Sequence, residues 1–147
     1  MESTDIDNFL ESCLFFNTNA LSRYLLKIAQ RHFSELNLSP AHASLMLMVY
    51  DNPGISPKLL AQALQLTPST ITRFIDALVK KDLLLRETRG KLAFIYPSLK
   101  GLSLKPAIAK AYRRMYEDYT QILGKQVTRQ LSLSILKANQ RLSQKLK

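Results

Sequence analysis

Between Thr67 and Arg73 the chain groups Ser69, Thr70, Thr72 and Arg73 in the first turns of a predicted helix. Short hydroxyl side chains and an arginine are residue types that meet phosphate oxygens and base edges. The start of a helix adds free amides and the positive end of its dipole, which favour an anion. Short side chains let such a helix sit deep in a major groove about 12 Å wide. Arg73 has the reach for guanine or a flanking phosphate. A second basic group follows in Arg86, Arg89 and Lys91, placed to grip the sugar-phosphate backbone or the minor groove beside it. Ser56 and Pro57, which open the preceding predicted helix, and Thr67, which opens this one, complete the candidate DNA-contact set.

These residues need elements that hold them. "LSPAH", "ISPKL" and "LTPST" each set a hydroxyl residue before a proline. Ser39, Ser56 and Thr67 are therefore predicted helix caps. Pro40, Pro57 and Pro68 suit the first helical position, where no amide hydrogen is required. Helices are expected at about 40–50, 56–64 and 68–81, with "DNPG" after Tyr50 as a turn. The third carries an apolar stripe of Ile71, Phe74, Ile75, Leu78 and Val79, which leaves the hydroxyl residues, Arg73 and Asp76 on the other face. Residues 83–96 are predicted to form a hairpin, with Arg89, Gly90 and Lys91 at its tip. Ile6, Phe9, Leu10, Cys13, Leu14, Leu21, Tyr24, Leu25 and Ile28 recur at helical spacing, so 6–34 is expected to be one long helix. Helical periodicity returns from about 101, breaks at Gly124 and resumes to the end. Two short helices, the second with a hydroxyl-rich front, make a helix-turn-helix, and the basic hairpin after them makes it winged. The fold class is thus mainly α. The terminal helices are amphipathic and expected to pack together and against a second copy.

The charge is uneven. The whole chain carries +10 at pH 7, with a balance of −2 over residues 1–60, +4 over 61–100 and +8 over 101–147. This asymmetry points to a polyanionic partner for the middle and end of the chain. No apolar run approaches a membrane span, and the acidic start "MESTDIDNF" does not have the pattern of a secretory signal, so a cytoplasmic location is expected.

The layout, and above all "SLMLMVYDNPGISPKLLAQALQLTPSTITRFIDALVKKDLL", resembles the MarR family of bacterial winged-helix transcription regulators. The resemblance implies a homodimer joined through its N- and C-terminal helices and bound to a pseudo-palindromic operator on double-stranded DNA. It implies release by a ligand or an oxidant, and the expected role is that of a ligand-responsive repressor. It casts Ser56–Leu64 as the supporting helix, Pro68–Lys81 as the reading helix and Arg86–Ile95 as the wing. The expected organisation is a single winged-helix domain over 1–147, with a DNA-binding lobe at 35–98 and dimerisation helices at 1–34 and 99–147. Two departures stand out. The tip "RETRGKLAF" is shorter than the family's, with Arg89 nearest to its groove arginine and Glu87 as the candidate brace. Asp82 stands where the family often has glycine.

The family's effectors are often small aromatic or lipophilic acids, and Tyr24, Phe33, Met48 and Tyr112 are the candidates to line such a pocket. One branch senses organic peroxides through a cysteine in its first helix, and "ESCLFF" resembles that neighbourhood. Cys13 also sits on the apolar stripe without a basic neighbour, as a buried cysteine acting as a small hydrophobe would. Being alone, it forms no internal disulfide. His32 and His42 have no ligand-spaced partners, so neither a metal nor a cofactor is expected. There is no phosphate loop, nucleophile elbow or shared carboxylate pair, which argues against an enzyme. The alternative is a winged-helix module whose basic face meets an acidic protein.

Overall fold

The computed structural model describes residues 3–146, with side chains from Asn8 onward; the side chain of Ile6, in the predicted N-terminal stripe, lies outside the described residues. The order is α1 (Ser3–Ser12), α2 (Leu14–Phe33), a single 3-10 turn (Ser34–Leu36), α3 (Pro40–Asp51), α4 (Pro57–Leu64), α5 (Pro68–Lys80), β1 (Leu84–Arg89), β2 (Leu92–Pro97), α6 (Leu99–Leu123) and α7 (Lys125–Lys145). The protein is a mainly helical winged helix-turn-helix with long flanking helices and one hairpin wing.

One expectation fails. The helix predicted over 6–34 is broken at Cys13. Local polar side chains compete for its backbone there. Ser12 Oγ donates to the carbonyls of Asn8 and Phe9, and Asn17 Nδ2 donates to Glu11 O at 2.8 Å. The Cys13 amide falls back on Leu10 O, a tighter i−3 bond. Serine and asparagine bond the backbone in this way and disturb a helix whose apolar period continues through the break.

The chain divides into two compact units, Ala29–Ala111 and the paired termini Met1–Ile28 with Tyr112–Lys147. The first contains the 35–98 segment and extends beyond it. Besides the paired strands β1 and β2, its main packing pairs are α4 on α5, α3 on β2, α3 on α4 and α5 on β1. Phe33, Leu45, Met46, Leu60, Ile71, Ile75, Leu78, Leu84 and Ile95 are fully buried in it. The hairpin pairs Leu84 with Pro97 through Arg89 with Leu92, and a bridge from Ile55 to Ile95 ties the turn after α3 to its edge. Only Gly90 of the two-residue loop has positive φ, as a II′ turn requires of its first position.

Two details fix the base of the wing. Asp82 adopts φ +63°, and the Leu83 and Asp82 amides bond back to Leu78 O and Val79 O, closing α5 in a Schellman motif. Gly101 admits no side chain, because a Cβ there would stand 2.1 Å from Leu83 O. Tyr50 Oη donates to Gly101 O, and burial pushes its phenol up to about 12.

In the terminal unit no apolar side chain of a described residue is fully buried. Phe15 and Ile122 are 80% and 74% exposed. Its buried residues are Thr120 and Thr128, whose Oγ1 atoms have no hydrogen-bond partner.

Candidate nucleic-acid interface

The helix pair α4–α5 starts from two equivalent caps. Ser56 Oγ accepts from Leu59 N at 3.2 Å and Thr67 Oγ1 from Thr70 N at 3.3 Å, with Pro57 and Pro68 at the first helical positions. Gln65 at φ +54° turns the chain between them, and Leu66 N returns to Ala61 O. This left-handed residue makes the connection short enough to set α5 against α4. The apolar stripe then drives Ile71, Ile75 and Leu78 into the core, so the opposite face stays out. Ser69, Thr72 and Arg73 are exposed and Thr70 is half-buried. On the core side His42 meets Phe74 edge-on at 4.6 Å, and burial, aided by the Lys81 charge, lowers the imidazole below its ordinary value.

The hydroxyls of this front do not point freely outward. Thr67 Oγ1 donates to Thr70 Oγ1 at 2.9 Å and lies 3.2 Å from Ser69 Oγ. Since the Thr67 proton goes to Thr70, the Ser69 proton is the one shared in the second contact. Thr72 Oγ1 donates to Pro68 O at 3.0 Å. Arg73 Nη2 rests on Thr70 Oγ1 at 3.4 Å, a long contact that ties it loosely. The sequence treats these hydroxyls as uncommitted contacts; the fold uses most of their protons to build the helix start.

The wing is organised by two ion pairs. Arg86 Nη2 meets Asp76 Oδ1 at 2.5 Å, joining the first strand of the hairpin to α5. Glu87 Oε1 accepts from Arg89 Nε at 3.0 Å and Nη2 at 2.9 Å, and the guanidinium stands 5.3 Å from the Phe94 ring. Hydrogen bonding to Glu87, then its charge, holds the Arg89 guanidinium above its ordinary value. Residues two apart on a strand share a face, which is why Glu87 can brace Arg89. Lys91 is exposed at the tip.

Between α4 and α5 an open groove of about 590 Å³ is lined by Pro57, Lys58, Ala61, Gln62, Leu66, Pro68 and Thr72. Sequence reasoning singled out Pro57 and Thr72 of these and passed over Lys58 and Leu66; it placed Asp76 on the outer face of α5 without its Arg86 partner. An exposed leucine directly before a capping threonine was the available signal for Leu66. Nothing local pairs Asp76 with Arg86 across the wing base.

The other candidates fall on both units. Phe33 is fully buried and Met48 half-buried in the Ala29–Ala111 unit; Tyr24 is exposed and Tyr112 half-buried in the terminal unit. Cys13 is half-buried and free at the break between α1 and α2. Among the described residues no group of three or more His, Cys, Asp or Glu could hold a metal, and no helix is long and apolar enough to cross a membrane.

Comparison with known proteins bears on this geometry. Residues 38–89 match the model of the MarR family. The transcriptional regulator SlyA superposes with a TM-score of 0.79 at 22% identity, covering 91% of this chain and 96% of SlyA. MepR of S. aureus, solved in complex with DNA, gives 0.78 at 17% identity over 88% of this chain and 98% of its own. The repressor CouR, bound to a 23-mer DNA duplex, gives 0.75 at 21% identity over 88% and 94%. These likenesses are of fold. Among curated proteins no match is found.

Proposed function

We propose that this chain, whose residues 38–89 match the MarR family, is a DNA-binding transcription regulator of that family and acts as a homodimer. The observation that carries the reading is the exposed front of α5 beside a basic hairpin locked to it by Asp76 and Arg86. In this reading α5 enters the major groove. Arg73 supplies the polar base contact, while Arg89 and Lys91 meet phosphate or the flanking minor groove. Ser56, Pro57 and Thr67 set the pose by capping and positioning rather than by gripping DNA. Ser69, Thr70 and Thr72 form the helix surface that faces the bases. Arg86 contributes by holding the wing.

The homodimer is supported by the terminal unit. Its exposed apolar side chains, from Phe9 to Phe16 and from Ile122 to Leu142, form a surface that a second copy would cover. Two copies related by a twofold present two α5 helices to a pseudo-palindromic operator. Repression, cytoplasmic location and release by a small aromatic or lipophilic effector belong to the same reading; among the similar structures, CouR of Rhodococcus jostii RHA1 is bound to p-coumaroyl-CoA, whose acyl group is aromatic.

A competition shift assay on random duplex at several salt concentrations tests it. Binding that weakens steeply with salt and improves on a selected duplex is expected. No binding at low salt would refute it. Contact with an acidic protein in the absence of duplex binding would favour the interaction-module alternative.

A further inference from the structure

We infer that the first turn of α5 reads A·T pairs through the thymine methyl and the adenine amino group, with Arg73 as the guanine reader; this rests on the DNA-binding reading above. The argument is a count of what the helix front has left to offer. The Ser69 and Thr72 protons are engaged inside the helix start, by Thr67 Oγ1 and Pro68 O. Their oxygens keep lone pairs and so can accept but not donate. Phosphates, guanine N7 and O6, and thymine O4 need donors, so these hydroxyls do not serve them. The exposed amino groups of adenine N6 and cytosine N4 do donate.

The apolar edge decides between those two bases. Leu66, Pro68 and Thr72 line the groove at the front of α5, and Leu66 and Thr72 are exposed. With its hydroxyl turned back to Pro68 O, Thr72 has a methyl as the remaining group on its Cβ. An accepting oxygen beside an apolar edge matches an A·T pair, which presents an amino donor and a C5 methyl; a G·C pair lacks the methyl. Asp76, which could accept from cytosine N4, has one oxygen held by Arg86 and lies a turn beyond Thr72, outside the first turns of α5. Of the front's side chains, Thr70 accepts from Thr67 and Arg73 and keeps its proton but is half-buried, so Arg73 is the exposed donor, with a tie loose enough to be exchanged for guanine.

The test uses the full-length protein and a duplex selected from a random pool. Each thymidine in the half-site is replaced by deoxyuridine, which removes only the methyl. At one or two positions per half-site the wild type should bind deoxyuridine about fourfold more weakly, as expected for one methyl lost from an apolar contact. Thr72→Ser keeps the hydroxyl and its bond to Pro68 O, should melt as the wild type does, and should narrow that gap. Equal affinity for thymidine and deoxyuridine at every position would overturn the inference while leaving DNA binding intact. So would a deoxyuridine effect of undiminished size in both Thr72→Ser and Leu66→Ala. Failure to bind any duplex at low salt would instead overturn the parent reading.

Discussion

The two compact units solve the burial problem differently. Ala29–Ala111 closes its own core: helix stripes and hairpin meet, and eleven large side chains from Phe33 to Ile108 are fully buried. The terminal unit also has amphipathic helices but leaves their apolar side chains half-buried or exposed and buries two unpaired threonine hydroxyls. Amphipathic helices alone therefore do not make a core; opposing faces must be brought over them. In the proposed reading the closed unit presents α5 to DNA and the open one is covered by a second copy, which would tie its stability to association.

The sharpest way to break this comparison is to charge the open surface. Phe15→Glu with Leu136→Glu should convert the protein to a monomer in sedimentation and lower operator affinity by at least about a hundredfold through lost bivalency. The circular-dichroism signal of the closed unit should survive. A dimer that persists would mean that other surfaces join the copies. Truncation inside the closed unit should act in the opposite way. Ile75→Ala should cost about 2–5 kcal/mol in denaturant melts, with a loss that does not depend on protein concentration.

Smaller changes sharpen the division between holding and reading. Arg73→Ala should weaken selected duplex by about 1–3 kcal/mol and relax preference at one base, without changing the melting temperature. Lys91→Ala should instead weaken all duplexes alike and reduce the salt slope by about one.

Tyr50 gives a pH handle on the closed core alone. Its folded value, about 12, lies above the ordinary 10, so the contribution of its phenol is complete below pH 10 and is lost as pH rises toward 12. Tyr50→Phe should lose about 1 kcal/mol at neutral pH with the hydrogen bond to Gly101 O. Its disadvantage should shrink between pH 10 and 12. The smallest effect is expected from Cys13→Ser, which should leave DNA binding before and after peroxide as in the wild type. Loss of an oxidant response in the serine variant would establish a sensing thiol.

Much of the fold was legible in the chain because its signals are local. A hydroxyl before a proline, three times over, marks helix starts through bonds that span three residues, and each cap forms as expected. The stripe from Ile71 to Val79 and the Gly90–Lys91 turn are equally short-range. The long N-terminal helix was misjudged because apolar period is indifferent to the carbonyls that Ser12 and Asn17 capture around Cys13. Glu87 as a brace for Arg89 was implied by the family resemblance and fits strand alternation, whereas the Phe94 ring near the same guanidinium required the hairpin register.

The sequence by itself determined where α3, α4 and α5 start, which face of α5 turns inward and that its other face would carry hydroxyls and arginine. Tertiary structure alone decided that Asp76 takes Arg86, that the cap cluster engages most of the hydroxyl protons and that one unit closes while the other stays open. The physical reason is range. Propensity, capping and periodicity act within about one helical turn, but which donor finds which acceptor, and whether an apolar face is covered, depends on chain segments that only folding brings together.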